Sequence, residues 1–209
     1  MFKGAEKFNQ DIGNWNVSNV HSMNYMFKYV QEFKQDIGQW DVTYVGYMRK
    51  MFFGAEEYDR CIGGWNVSNV RDMSGMFGNA LAFNQDIGKW DVSYWDVSIV
   101  RKMSGMFEGA AEFNHDIGNW NVSNVMDMNS MFANASCFNQ DIGQWDVSNV
   151  TDMNRMFYGA EEFTVNQCIG GWNVSYVQDM SGKFGNALTF NQDIGQWDIS
   201  SLRDMSRIF

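Results

Sequence analysis

The sequence predicts an α/β fold: a solenoid of about eight turns, each a strand followed by a short helix, with the strands in one parallel sheet. Three observations predict it. Tryptophans recur at intervals of 25 to 30 residues, the residues after each tryptophan alternate as in a half-buried strand, and an apolar stripe with helical spacing follows. The repeated tryptophans are Trp15, Trp40, Trp65, Trp90, Trp120, Trp145, Trp172 and Trp197.

A frame of about 25 residues surrounds each of these tryptophans, and eight such frames fill the chain. Residues Phe138–Ala160 read Phe-Asn-Gln-Asp-Ile-Gly-x-Trp-Asp-Val-Ser-x-Val-x-x-Met-x-x-Met-Phe-x-x-Ala. Frames three and seven share Cys-Ile-Gly-Gly-Trp, and frames four and eight share Phe-Gly-Asn-Ala-Leu, which indicates duplication of a four-frame block. The prediction is a single repeat domain, 1–209, made of two related blocks, about 1–105 and 106–209.

The first predicted element of each frame is a strand at Trp-x-Val, where apolar residues alternate with the two-residue period of a strand. Trp145 and Val147 are expected on the buried face, and Asp146 and Ser148 on the exposed face. This pattern predicts a short, half-buried strand in every frame.

An apolar stripe follows the strand and predicts a short helix. Gly or Asn occupies the position just before the end of the stripe, and these are the two residues that tolerate a left-handed helix cap. In frame six the stripe consists of Val150, Met153, Met156, Phe157 and Ala160.

Energetics require the frames to stack. About nine buried apolar side chains per frame contribute roughly 14 to 27 kcal/mol, whereas ordering the frame costs on the order of 30 to 50 kcal/mol. A single frame therefore cannot fold alone. Stacked frames bury their remaining apolar edges against each other, and this favours a solenoid.

The spacing Ile142-x-x-Trp145-x-Val147-x-x-Val150 resembles the opening of leucine-rich repeats. The whole frame is similar to the BspA-like repeat of bacterial and protist surface proteins, particularly the mycoplasma-type variant F-N-Q-D-I-x-x-W-D-V-S-N-V-T-D-M-S-x-M-F. The resemblance implies a leucine-rich-repeat-like solenoid at the cell surface or outside the cell, acting in adhesion or in binding a protein or glycan partner.

Composition excludes several classes of protein. The 17 Phe, 9 Trp and 8 Tyr are too many for a disordered chain. A net charge of −10 with no basic run argues against nucleic acid as a partner. No apolar stretch approaches the roughly 18 residues that span a bilayer, and the first residues lack a signal-peptide core. We therefore expect neither a transmembrane segment nor a signal peptide.

The sequence offers little for catalysis, so we predict that the protein is not an enzyme and has no catalytic residue, metal site or cofactor. His21 and His115 lie in different columns of the repeat and form no pair. Cys61 and Cys168 share a column four turns apart, about 20 Å, which is too far for a disulfide. With Cys137 in another column, three free thiols are expected, and these leave an intracellular location open.

Aspartates recur one residue before the constant isoleucine. Because a short polar side chain there can hydrogen-bond its own backbone, we expect them to stabilise a turn. They are Asp11, Asp36, Asp86, Asp116, Asp141 and Asp193.

The outward column directly after each tryptophan is the candidate binding surface. It presents Asn and Asp in alternation, a polar array suited to glycan hydroxyls or a protein partner, although a merely solvated face remains the other interpretation. The candidate residues are Asn16, Asp41, Asn66, Asp91, Asn121, Asp146, Asn173 and Asp198.

A five-residue insertion in the fourth frame is a second candidate site. It duplicates Trp-Asp-Val-Ser, and because five is odd, one of Trp90 and Trp95 must leave the core. Tyr94 and Trp95 would then form an exposed contact point. Replication slippage without a function is the alternative.

The rival function is that of a structural subunit, a scaffold that assembles end to end or laterally in a larger complex or filament. Neighbouring repeats or subunits would then contact its ends. The first and last frames are as apolar as the interior ones, so we expect the 209 residues to be part of a longer array. Lys183 stands in a column otherwise held by methionine and is predicted to point inward.

Overall fold

The structure is a computed structural model that describes residues 1–92, 101–164 and 169–209. Within these ranges it contains two strands, β1 (Arg101–Lys102) and β2 (Val125–Asp127), a 3-10 helix at Ile169–Gly171, and no α-helix. The two strands are parallel, with Arg101 opposite Val125 and Lys102 opposite Asp127. Turns and irregular backbone form the rest of the described chain.

The predicted α/β leucine-rich-repeat-like solenoid with one parallel sheet is therefore wrong. Where a strand was expected, two turns follow each other. The Trp145 N–H donates to the Ile142 carbonyl oxygen at 3.1 Å, and the Val150 N–H donates to that of Val147 at 2.9 Å. The apolar and polar residues alternate as expected, but these amides close turns within the repeat.

The predicted short helix is also replaced by turns. The Met156 N–H donates to the Met153 carbonyl oxygen at 3.2 Å, closing a turn in which Arg155 has φ of 51°. The next turn places Gly159 at φ of 66°. The left-handed conformation expected in this glycine and asparagine column is thus confirmed, yet it belongs to a turn.

Hydrogen bonds to the neighbouring repeat explain the absence of a helix. The Met153 N–H donates to the Asp179 carbonyl oxygen at 3.0 Å, and the Phe157 N–H to that of Lys183 at 2.9 Å. An α-helix would need each of these amides to bond four residues back in the same repeat. The amides instead alternate between turns and inter-repeat bonds.

Consecutive repeats stack in parallel along the described chain. A parallel backbone bridge forms at the residue just before the Met153 column and recurs from repeat to repeat. The bridges are Ser22 to Tyr47, Tyr47 to Asp72, Asp72 to Lys102, Asp127 to Asp152, Asp152 to Asp179, and Asp179 to Asp204.

The core runs through the stack as columns of aromatic rings. Phe157 packs on Phe163 of the next frame at 4.1 Å between ring centroids, and on Phe132 and Phe184 of the neighbouring repeats at 5.7 and 5.9 Å. Each of Phe132, Phe157 and Phe163 is fully buried. The stack therefore has one continuous apolar core.

Lys183 and Trp90 both lie in the core. Lys183 is fully buried, which confirms its inward position. Trp90 is buried, and its indole Nε1 donates to the Ile62 carbonyl oxygen at 3.1 Å, so this tryptophan belongs to the core. Trp95 lies outside the described residues.

Candidate functional site

The predicted Asn/Asp column lies in turns and not on a strand, although all eight side chains are exposed. Asp146 Oδ1 accepts the Ser148 N–H at 3.0 Å. Asn173 Oδ1 accepts both the N–H and the hydroxyl of Ser175, at 3.2 and 2.8 Å. We call this surface the turn row: Asn16, Asp41, Asn66, Asp91, Asn121, Asp146, Asn173 and Asp198.

Hydrogen bonds lower the pKa of two carboxylates in the turn row. The side chain and then the backbone of Thr43 hold the pKa of Asp41 below its ordinary value. The backbone N–H and then the hydroxyl of Ser200 do the same for the pKa of Asp198. Asp41 and Asp198 therefore carry a negative charge at neutral pH.

A cleft lies beside the turn row in the first repeats, and we call it the tyrosine cleft. Its volume is about 340 Å³. Two of its tyrosines are among the exposed large side chains, Tyr44 at 62% and Tyr47 at 44% of full exposure. The cleft is lined by His21, Tyr44, Gly46, Tyr47, Asn69 and Arg71.

Gly46 opens this cleft. Its N–H donates to the His21 carbonyl oxygen at 2.9 Å, and its own carbonyl oxygen accepts the Arg71 N–H at 2.7 Å, so the three residues share one column of stacked backbone. A Cβ at Gly46 would have its nearest neighbours, backbone oxygens, 3.8 Å away. The missing side chain leaves a gap between His21 and Arg71.

The polar groups of the cleft have defined roles. Asn69 Nδ2 donates to the Thr43 carbonyl oxygen at 2.8 Å, leaving its Oδ1 as an acceptor. His21 Nδ1 lies 2.9 Å from the Asn19 carbonyl oxygen. Because a carbonyl can only accept, Nδ1 carries the proton and Nε2 of the neutral ring is an acceptor. With Arg71 as a donor, the cleft combines aromatic surface with both kinds of hydrogen-bonding group.

Sequence reasoning missed this cleft. Its residues are about 25 positions apart and meet only when repeats stack. One signal was present in the sequence. Gly46 stands where the preceding and following repeats have His21 and Arg71, and it is flanked by Tyr44 and Tyr47.

The aspartates before isoleucine fulfil their predicted role. Asp141 Oδ1 accepts the Gly143 N–H at 2.9 Å, and Asp11 Oδ1 accepts that of Gly13 at the same distance. This confirms the turn. Corresponding bonds are made by Asp36, Asp86, Asp116 and Asp193.

The described histidines, cysteines and carboxylates form no metal site. In the part of the chain that the structure describes, no group of three or more His, Cys, Asp or Glu side chains could hold a metal ion. Cys61 and Cys137 are free thiols. Cys168 and the candidate contact residues Tyr94 and Trp95 lie outside the described residues.

Near-identical frames that stack through recurrent backbone bonds define a tandem-repeat protein. The family model described as "Mycoplasma protein of unknown function, DUF285" matches residues 1–94, 91–167 and 163–209. The chain therefore belongs to the DUF285 family. No curated protein and no solved structure matches it. Across residues 1–92, 101–164 and 169–209, no helix has the length and apolarity needed to cross a membrane.

Proposed function

We propose that this protein is a non-enzymatic repeat protein that binds a glycan or protein partner through the turn row and the tyrosine cleft. The observation that carries the proposal is the cleft itself, where two exposed tyrosines flank the gap that Gly46 leaves in a column whose other members all carry larger side chains. Regular stacking alone would give a uniform surface.

A saccharide is the occupant that the cleft suits best. Its volume of about 340 Å³ is at the small end of the range of ligand sites, roughly 300 to 1,000 Å³. The apolar faces of a sugar ring would pack on Tyr44 and Tyr47, while hydroxyl groups would pair with Asn69, His21 and Arg71. A short protein loop is the second occupant to test.

The cell surface is the proposed location. The resemblance of the frame to BspA-like surface repeats supports it, as does an exposed turn row that alternates amide and carboxylate groups along the stack. Adhesion would then follow from many weak contacts along the stack acting together.

A screen of glycan and protein arrays with the purified chain tests the proposal. Gly46→Gln should fill the cleft without disturbing the stack, because Gln178 occupies the same column in another repeat. We expect this variant and Tyr44→Ala/Tyr47→Ala to lose at least about tenfold in affinity for any ligand found, as expected for loss of about 1.4 kcal/mol or more.

Tyr176→Ala is the matched control. Tyr176 shares the column of Tyr44 and is 64% exposed, but it lies outside the cleft. Binding that survives Gly46→Gln, or that Tyr176→Ala weakens equally, would overturn the assignment of the cleft.

A further inference from the structure

A second surface concentrates the positive charge of an acidic chain. It consists of the turn residues in the columns of Asn154, Arg155, Tyr158 and Gly159, and we call it the basic face. It contains six of the 15 Lys and Arg residues and one of the 25 Asp and Glu residues, Glu108. The six basic residues are Lys3, Lys28, Arg49, Lys50, Arg155 and Arg207.

We propose that the basic face binds an anionic polysaccharide, a glycan chain that carries sulfate or carboxylate groups. This site uses none of the residues of the tyrosine cleft. It would therefore give the protein a second binding activity on another set of columns.

The positive charges of this face are available to a ligand. Within residues 1–92, 101–164 and 169–209, the structure has a single ion pair, between Lys34 and Glu57, and neither residue belongs to the basic face. The six cations thus have no carboxylate partner among the described residues. An anion that arrives would not have to displace one.

Aromatic rings hold the cations of the first repeats in place. Lys28 Nζ lies 4.7 Å from the centroid of the Tyr29 ring and 5.2 Å from that of Phe53. Lys50 Nζ lies 4.9 Å from the Phe53 centroid, and Lys3 Nζ 5.7 Å from that of Tyr25. Such contacts stabilise each ammonium by about 0.5 to 1 kcal/mol at exposed sites and leave its N–H groups free to bind.

Glycines of the following repeat make this arrangement fit. A Cβ at Gly78 would lie 2.6 Å from Cδ2 of Phe53, and one at Gly75 would lie 3.0 Å from Cγ of Lys50. The ring and the lysine stem can lie flat across the next repeat only because both side chains are absent there. Gly75 and Gly78 of one repeat therefore provide the space that Lys50 and Phe53 of the preceding repeat occupy.

The same arrangement recurs four repeats further along. Arg155 lies over the Tyr158 ring at 5.6 Å. A Cβ at Gly185 would lie 2.8 Å from Cδ2 of Tyr158, and one at Gly182 would lie 3.2 Å from Cγ of Arg155. Arg207 lines the opposite side of the resulting groove, whose volume is about 610 Å³.

The spacing of the two arrangements favours a linear ligand. Parallel backbones joined by hydrogen bonds are about 4.8 Å apart, so four repeats separate the Lys50 and Arg155 sites by about 20 Å. A polysaccharide can follow this line, placing anionic groups at the cations and sugar faces beside the half-buried rings of Phe53 and Tyr158. A flat bilayer cannot enter the groove between Arg155 and Arg207.

Nucleic acid is the weaker match. Duplex DNA carries one charge per about 1.7 Å, whereas this chain has a net charge of −10 and a pI of about 4.5. The strongly charged polymer would be repelled by the acidic remainder of the protein. A glycan of lower charge density meets the basic face with less repulsion.

Binding of the purified chain to immobilised heparin, at several salt concentrations, tests the proposal. We expect binding that weakens with salt, no binding to neutral dextran, and weaker binding to duplex DNA and to anionic phospholipid vesicles. Lys28→Gln/Lys50→Gln should reduce heparin affinity at least tenfold and flatten its salt dependence. Lys7→Gln/Lys89→Gln is the control, since it removes the same charge at exposed residues outside the basic face and should retain affinity within about twofold.

The outcomes are distinct. Equal loss in the two double variants would show non-specific charge attraction and overturn the proposal, as would tighter binding to DNA or vesicles than to heparin. Gly46→Gln should leave heparin binding unchanged. The experiments therefore distinguish a wrong assignment of the tyrosine cleft from a wrong assignment of the basic face.

Discussion

The indole Nε1 of Trp145 donates a hydrogen bond to the carbonyl oxygen of Ile117 in the preceding repeat, at 3.1 Å. Both side chains are buried, so the bond joins two repeats inside the core. The repeated tryptophan is thus a polar link as well as an apolar side chain. The equivalent bonds join Trp40 to Ile12, Trp65 to Ile37, Trp90 to Ile62, Trp120 to Ile87, Trp172 to Ile142, and Trp197 to Ile169.

Trp145→Phe should destabilise the protein. It leaves the buried Ile117 carbonyl oxygen without this donor and removes part of a packed ring, with an expected loss of about 1 to 3 kcal/mol in the free energy of unfolding. Urea denaturation measures it. Trp15→Phe, at a side chain that is 43% exposed, should have a smaller effect, and an equal loss would contradict the role assigned to the bond.

The constant glycine two residues before each repeated tryptophan is a second determinant of stacking. A Cβ at Gly118 would lie 2.5 Å from the Asp141 carbonyl oxygen of the next repeat. Gly118→Ala should therefore force the repeats apart and lower the free energy of unfolding by about 1 to 3 kcal/mol. Gly64→Ala is the control, because a Cβ there meets nothing within 4 Å, and its thermal midpoint should hardly change.

Lys183→Met should stabilise the protein. Lys183 Nζ is buried, 2.8 Å from the Met153 sulfur, and lies among aromatic rings that include Trp172 at 5.2 Å and Trp197 at 5.3 Å. Burial lowers the pKa of Lys183 from 10.5 to about 7. That shift corresponds to about 5 kcal/mol at low pH, of which the rings offset about 2 kcal/mol, so a gain of about 3 kcal/mol is expected at pH 6.

The same lysine gives a pH dependence whose sign follows from the lowered pKa. Between pH 7 and 10.5 the unfolded chain binds a proton that the folded chain does not, so the free energy of unfolding of the natural protein should rise with pH. Lys183→Met should remove this rise. Denaturation at pH 6, 8 and 10 measures it, and a variant less stable than the natural protein at pH 6 would show that the ammonium has a stabilising partner.

Tyr58→Phe should also stabilise the protein. The Tyr58 hydroxyl is buried without a hydrogen-bond partner, and this burial raises its pKa well above the usual range. Removing it should increase the free energy of unfolding by about 1 kcal/mol. The reverse change at the same column of the next repeat, Phe83→Tyr, should lower the thermal midpoint, and stabilisation by both changes would refute the argument.

Replacing Asp41, Asp91, Asp146 and Asp198 together by Asn should alter partner binding and leave thermal unfolding nearly unchanged. An amide oxygen can accept the same turn hydrogen bond, as Asn66 does from the Ser68 N–H at 3.2 Å. Exposed charges contribute little to stability. Parallel thermal scans and binding assays check this, and a common loss of folding and binding would count against recognition by the turn row.

The buried apolar columns could be predicted from the sequence because they follow from the spacing of apolar residues within a single repeat. Met153, Phe157 and Trp145 are buried as expected. Their secondary structure could not be predicted in this way. An apolar residue every three or four positions is compatible with a helix, but it is equally compatible with successive turns when a neighbouring repeat accepts half of the amides.

The sequence by itself determined the repeat length, the buried columns, the aspartate turn before Ile142 and the inward position of Lys183, because these depend on local spacing and side-chain chemistry. Only the tertiary structure decided how the amides are shared, since the bond from the Met153 N–H to Asp179 needs two stacked repeats. It also decided the tyrosine cleft and the basic face. Residues such as His21 and Arg71, about 50 positions apart in the chain, become neighbours only when the intervening repeat contributes a glycine between them.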